Sequence, residues 1–299
     1  MPTILAAFLE FSSPAFLMSV AGLVLLVIGL WAARNAVAQA RGLGRIVALT
    51  NLCFAIPLAV FGAEHFGLGR AMIGLVPSYM PVRLFWIYFI GVALIVAALS
   101  IATKIQVRWS GLLFGIMMVL FVAMIHLPGA IKSGDRIIWT IVFRELSFGG
   151  GGLVLAGVAM SQLRGKGAGL ITVSRVLIAI AAIVFGVLHF LHPYGVPGVP
   201  LAKQMPTWIP ARAVIDYVTG AFLIAGGVCF LIARKTQMAA TYLGTWILVL
   251  VVGFYGPMLI VALMDPNPGT KLEGLNYFAD TLLFGATILT LATLPSENP

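Results

Sequence analysis

The chain has 299 residues, 61% of them hydrophobic and only 9% charged, with a net charge of +9. Soluble domains average about 45–50% and about 25% on those two measures, so a water-soluble globular enzyme is excluded. The basic residues sit in short loops between apolar runs, which argues against a nucleic-acid partner and makes the charge a topology signal.

Nine apolar runs have the length that crosses a bilayer core, about 20 residues. They lie near 15–33, 46–66, 82–103, 109–127, 137–162, 172–192, 211–233, 239–264 and 275–294. The expected fold class is all-α, a polytopic membrane protein of about nine transmembrane helices whose partner is the lipid bilayer. Ser13 can cap the first helix and Pro14 suits its first turn. No positive charge precedes that run, while Arg34 and Arg41 follow it, so it reads as a span and not as a signal peptide. Pro57 and Pro257 fall inside spans and should kink them. Gly111 and Gly115 make a GxxxG step, and Gly149–Gly152 are four glycines in a row, a pattern of close helix approach. Room for a flat ligand is the alternative there. Cys53 and Cys229 lie alone in apolar runs; no CxxC pair supports dithiol chemistry.

The loops at 34–45, 104–108, 161–175 and 234–238 carry Arg34, Arg41, Arg45, Lys104, Arg108, Arg164, Lys166, Arg175, Arg234 and Lys235, with no acidic residue. The opposite loops carry Arg70, Lys132, Arg136, Lys203 and Lys271 together with Asp135, Asp265 and Glu273. The positive-inside rule then puts the N-terminus outside and the C-terminus in the cytoplasm. The expected location is a cell membrane, the bacterial inner membrane, as a multi-pass protein.

One motif organises the runs. FGAEHF at 61–66 returns as FGVLHF at 185–190, and VPSYMPVRLFWIYFIGVALI from Val76 returns as MPTWIPARAVIDYVTGAFLI from Met205. The first pair is offset by 124 residues and the second by 129, so the second copy carries a five-residue insertion in its loop. HLP at 126–128 stands against YGP at 255–257 in the same register. Recurrence with flanking apolar helices points to a duplicated unit. The expected division is an N-terminal segment and extra helix at 1–42, a first four-helix unit at 43–163 and a second at 164–299. Four spans per unit make the two repeats parallel.

The polar residues follow the repeat. His65, His126, His189, His192 and Glu64 fall at outer span ends, with Arg83 and Arg212 opening helices from that side. Asp216 is one turn beyond Arg212, and Arg144, Glu145 and Asp280 lie deeper. The candidate ligand-binding set of the first unit is His65, Arg83, His126 and Glu145. That of the second is His189, Arg212, Asp216, Tyr255 and Asp280, with Glu145 taken as the counterpart of Asp280. An ionisable group in a bilayer costs about 2–3 kcal/mol or more unless paired or wetted. Arg83 is therefore expected near Glu145, and Arg212 near Asp280 or Asp216. Each of these groups also has a bland reading, as a headgroup anchor or a structural ion pair. Trp86, Trp139, Trp208, Tyr79 and Tyr194 read as an aromatic belt. No metal site and no catalytic residue is assigned, and the question of an enzyme stays open.

These motifs resemble the DoxX-like family of membrane proteins. The resemblance rests on GAEHF and GVLHF, on PSYMPVR and PTWIPAR, on Tyr88 to Gly91 and Tyr217 to Gly220, and on HPYGVPGVPLAKQMPTWIP at 192–210. It covers about residues 43–294. Family members are typically single four-helix units, so the chain looks like a fused pair with an added N-terminal helix. Some members look like membrane subunits of quinone-linked oxidoreductases, including the thiosulfate:quinone type, and the resemblance therefore implies a quinone ligand and a redox partner protein. In this reading His65 or His189 and Arg83 or Arg212 donate to the quinone, and Glu145 or Asp280 relays protons. Two further readings compete. One is a haem b protein with His65 and His126 as axial ligands. The other is a non-catalytic lipid-binding, transport or scaffold protein.

Overall fold

A computed structural model of the chain describes residues 13–164 and 166–294. Residues 1–12 of the expected segment 1–42, Gly165 and residues 295–299 of the expected second unit lie outside the described residues, as do the side chains of Leu163 and Arg164. Among the described residues there is no strand, and nine helices are long and apolar enough to cross a membrane. They are α1 Pro14–Gln39, α2 Thr50–Leu68, α3 Arg83–Thr103, α4 Val107–Ser133 and α5 Arg136–Arg164, followed by α6 Ala168–Leu191, α7 Arg212–Leu231, α8 Thr236–Met264 and α9 Pro268–Ala292. This is the all-α polytopic membrane fold that the composition implies.

The helix ends have local causes. Ser13 Oγ accepts a hydrogen bond from the Phe16 amide and Pro14 occupies the first turn of α1, as its sequence foreshadows. α9 begins at Pro268 and not near 275. Asp265 accepts from the Asn267 amide and Asn267 from the Gly269 amide, so two polar side chains start the helix before its apolar run. α4 also runs past its expected end. It passes through a π turn at Val122–His126, where the Leu127 amide reaches back to Val122 O. α8 does the same at Val251–Tyr255, with Gly256 bonding to Val251 O. In each case a proline follows at once, Pro128 or Pro257. A helical proline cannot donate and crowds the carbonyl four residues back, and a widened turn relieves that mismatch.

Glycine sets how closely the helices pack. A Cβ on Gly111 would stand 2.5 Å from Gly152 O, and one on Gly152 would stand 2.8 Å from Gly111 O. The α4–α5 contact is therefore backbone against backbone, the close-approach reading of the GxxxG step. α1 turns Leu23, Val27 and Trp31 outward, while α5 and α9 are the most enclosed helices.

The same local geometry occurs at both motif copies. A Cβ on Gly62 of α2 would lie 3.0 Å from Gly91 O of α3, and one on Gly186 of α6 would lie 2.8 Å from Gly220 O of α7. Phe66 stacks on Tyr88 as Phe190 stacks on Tyr217. Val82 before α3 and Ala211 before α7 are both left-handed, at φ 48° and 52°. The turns that end these helices match too: Lys104 and Gln106 are left-handed, and so are Ala233 and Lys235. A left-handed non-glycine residue costs about 1–2 kcal/mol, and all three pairs are offset by 129 residues. On α4–α5, a Cβ on Gly115 would meet Leu153 Cδ2 at 2.6 Å; on α8–α9, one on Gly244 would meet Leu289 Cδ2 at 2.6 Å. In this register Leu289 answers Leu153, so Asp280 answers Arg144 and Thr281 answers Glu145. The expected match of Glu145 with Asp280 is off by one residue, because the side chains there give no signal while the glycine packing does.

Contacts divide the chain into two compact units, one of Met1–Gln106 with Val249–Leu283 and one of Val107–Leu248 with the chain from Phe284. Their boundaries cross the sequence division at 43–163 and 164–299. Tyr255 and Asp280 thus belong to the unit of His65 and Arg83. His126 and Glu145 belong to the unit of His189, Arg212 and Asp216.

Candidate functional site

His65 sits in the last turn of α2, half-buried. Its Nδ1 lies 2.7 Å from Phe61 O, one helical turn back. A carbonyl oxygen accepts only, so Nδ1 carries the proton and donates. In the neutral ring Nε2 is then an acceptor. Among the described residues no hydrogen bond reaches that Nε2. The loop that follows has no buried residue between 70 and 82.

His189 repeats the first half of this arrangement and changes the second. Its Nδ1 donates to Phe185 O at 2.6 Å, again one turn back. Its Nε2 accepts from the Gly198 amide at 3.0 Å. That amide belongs to the loop that is five residues longer in the second copy. Both ring nitrogens are satisfied and His189 is buried, which fixes a neutral ring with the proton on Nδ1. Asp216 Oδ1 stands 3.8 Å from the same Nε2, but an Nε2 that receives a hydrogen bond holds no proton, so this approach is no ion pair.

The loop at 192–210 is built inward. Residues 196–200, Val-Pro-Gly-Val-Pro, are all buried. Val196 and Met205 amides bond to Lys203 O and Tyr194 O, closing a small antiparallel bridge between Gly195 and Gln204. Gly198 is at φ +100°, where a Cβ would be strained. Three side chains anchor the loop. Asp216 Oδ2 accepts from the Tyr194 amide at 2.8 Å. Arg212 donates to Met205 O at 3.1 Å and lies over the Tyr194 ring. Arg136 donates to Pro200 O at 3.0 Å. Arg212 and Asp216, both expected to hold a ligand, with Arg212 expected near Asp280 or Asp216, each bond to this loop. In the first copy the residue that matches Asp216 is Ile87, buried and apolar.

The remaining candidates fall into two groups by compact unit. In one, Glu145 pairs with its neighbour Arg144 at 2.8 Å, and His126 lies within electrostatic reach of both. The partner expected for Glu145 was Arg83; the ion pair is made with Arg144. The Arg144 guanidinium also lies over the Phe148 ring. In the other, Glu64 accepts from Asn276 Nδ2 at 2.7 Å, joining α2 to α9. Tyr255 and Asp280 of that unit are buried, while Arg83 is exposed. His126 and Tyr255 each end a π turn, a distortion that often marks functional positions. His65 and His126, the pair named for a bis-histidine haem, belong to different compact units. Cys53 and Cys229 are free and partly buried.

Sequence reasoning missed Asn276, Arg136 and Gly198. The first two signals were available in part: an asparagine in an apolar helix needs a partner, and so does an arginine at a helix start. Gly198 had none, since a backbone donor leaves no trace in residue type. No family model, no curated protein and no solved structure matches the chain.

Proposed function

We propose that this multi-pass membrane protein is a fused pair of DoxX-like units, with its N-terminus outside, that binds the polar head of a quinone-type prenyl lipid at the His65 end of α2. The observation that carries this reading is the acceptor nitrogen of His65. The Phe61 carbonyl orients the ring and sets its tautomer, as second partners do for working histidines. Among the described residues nothing donates to the acceptor Nε2, which supports a bound molecule there. His65 stands at a helix end beside an exposed loop, where a lipid head would lie. Such a site would serve the membrane subunit of a quinone-linked oxidoreductase, with a redox partner protein taking the electrons.

The second set favours a different role. His189, Arg212 and Asp216 are engaged by the chain's own loop, which supports a scaffold or lipid-binding reading for that half of the protein. The test of the main reading is equilibrium binding of a short-tailed quinone–quinol pair to the purified protein and to His65→Ala and Glu145→Gln variants. Binding that is lost in the folded His65→Ala variant is the expected result. Binding unchanged in both variants, or absent from wild type, puts the scaffold reading first.

A further inference from the structure

The two histidines share a backbone frame, and what stands against Nε2 differs. At His189 it is a five-residue apolar stretch, Val-Pro-Gly-Val-Pro, buried throughout and presenting the Gly198 N–H to the ring. At His65 the loop is five residues shorter, and nothing described donates to Nε2. We propose that residues 196–200 are a built-in occupant of the second head site, leaving one ligand site per chain at His65, and that the ligand there presents a hydrogen-bond donor to Nε2. This rests on the head-binding reading above and adds its polarity and its number.

The loop is held as an occupant should be. Asp216, Arg212 and Arg136 tie its two ends and its middle to α7 and α5. Asp216 and the insertion occur together, and Ile87 and the short loop occur together, so anchor and plug form one device. The plug is also a template of what the site accepts: an apolar body with one donor aimed at a neutral imidazole. A quinone carbonyl is an acceptor and would face the Nε2 lone pair without a proton between them. A quinol or other phenolic hydroxyl supplies that proton. The ligand class is therefore a hydroxyl-bearing ring on an apolar tail, the reduced form of the couple.

The experiment uses the full chain in lipid nanodiscs and three probes: a decyl benzoquinol kept reduced, its quinone and its dimethyl ether. Wild type is expected to bind one quinol per chain, about tenfold more tightly than either probe lacking the donor, in line with one hydrogen bond. His65→Phe abolishes that binding. Deleting 196–200 raises the stoichiometry to two, and His189→Phe in that background returns it to one. Asp216→Ile, which keeps every loop residue and only releases the anchor, serves if the deletion does not fold and is expected to raise the stoichiometry likewise. A wild type that binds two, or folded loop variants that still bind one, overturns the plug. Quinone or dimethyl ether bound as tightly as quinol overturns the donor while leaving head binding in place. Binding in the loop variants with none in wild type overturns the His65 site and keeps the plug; no binding in any of them overturns both.

Discussion

The His65 and His189 ends of α2 and α6 start from the same backbone and reach opposite states. Each histidine donates to the carbonyl one turn back, each helix meets its neighbour through a glycine pair, and each following helix opens after a left-handed residue. One end is then closed by an inserted loop whose amide satisfies the ring, and the other is not. The difference lies in a five-residue insertion and in Asp216 standing where the first copy has Ile87. A shared frame therefore does not imply a shared site. What a polar group does depends on whether the chain itself supplies its last partner.

Seven substitutions, in four groups, would break or sharpen this contrast. The largest effect should be common to both ends. Gly62→Leu and Gly186→Leu each drive a side chain into a carbonyl oxygen of the facing helix, at Gly91 and Gly220. Backbone cannot yield as a side chain does, and overpacking costs about 1–3 kcal/mol or more. Both variants should lose the monodisperse folded peak on gel filtration in mild detergent. Tolerance at one end alone would show that the frames are not equivalent.

Releasing the plug comes next. Asp216→Ile removes the acceptor of the Tyr194 amide, a bond to a carboxylate worth about 1.5–3 kcal/mol. The expected readout is faster proteolysis within 196–204 with the helices still folded. Cleavage as slow as in wild type would contradict the role of Asp216 as the anchor that seats the loop.

The histidines themselves should then separate. His189→Phe leaves the buried Gly198 N–H without an acceptor, at a cost of about 1–3 kcal/mol. His65→Phe orphans no described donor, and its thermal unfolding should stay closer to wild type. Equal losses at both positions would contradict the contrast in their partners. The smallest effects should come from the arginines. Arg212→Gln loses the bond to Met205 O and the Tyr194 ring, about 1 kcal/mol together. Arg83→Gln, at an exposed position, should change stability by less than about 0.5 kcal/mol. Unfolding midpoints of the two variants measured side by side would show whether Arg83 has a structural role of its own.

The sequence by itself determined the membrane class, the nine spans among the described residues and the start of α1, because hydropathy, a serine cap and a proline act within a few residues of chain. It also marked the recurring motif, and with it the histidines, since FGAEHF and FGVLHF carry their own acceptor one turn back. Residues whose partners are distant were not legible. Asn276 meets Glu64 across 212 positions, and Arg136 meets Pro200 across 64. The match of Asp280 with Arg144 and the loop-holding role of Asp216 depend on packing between helices and on a loop brought in from outside the helix. So does the grouping of Tyr255 and Asp280 with His65. Residue type states what a side chain is able to bond; only the tertiary structure decided which partner arrives, because that depends on backbone atoms brought in from elsewhere in the chain.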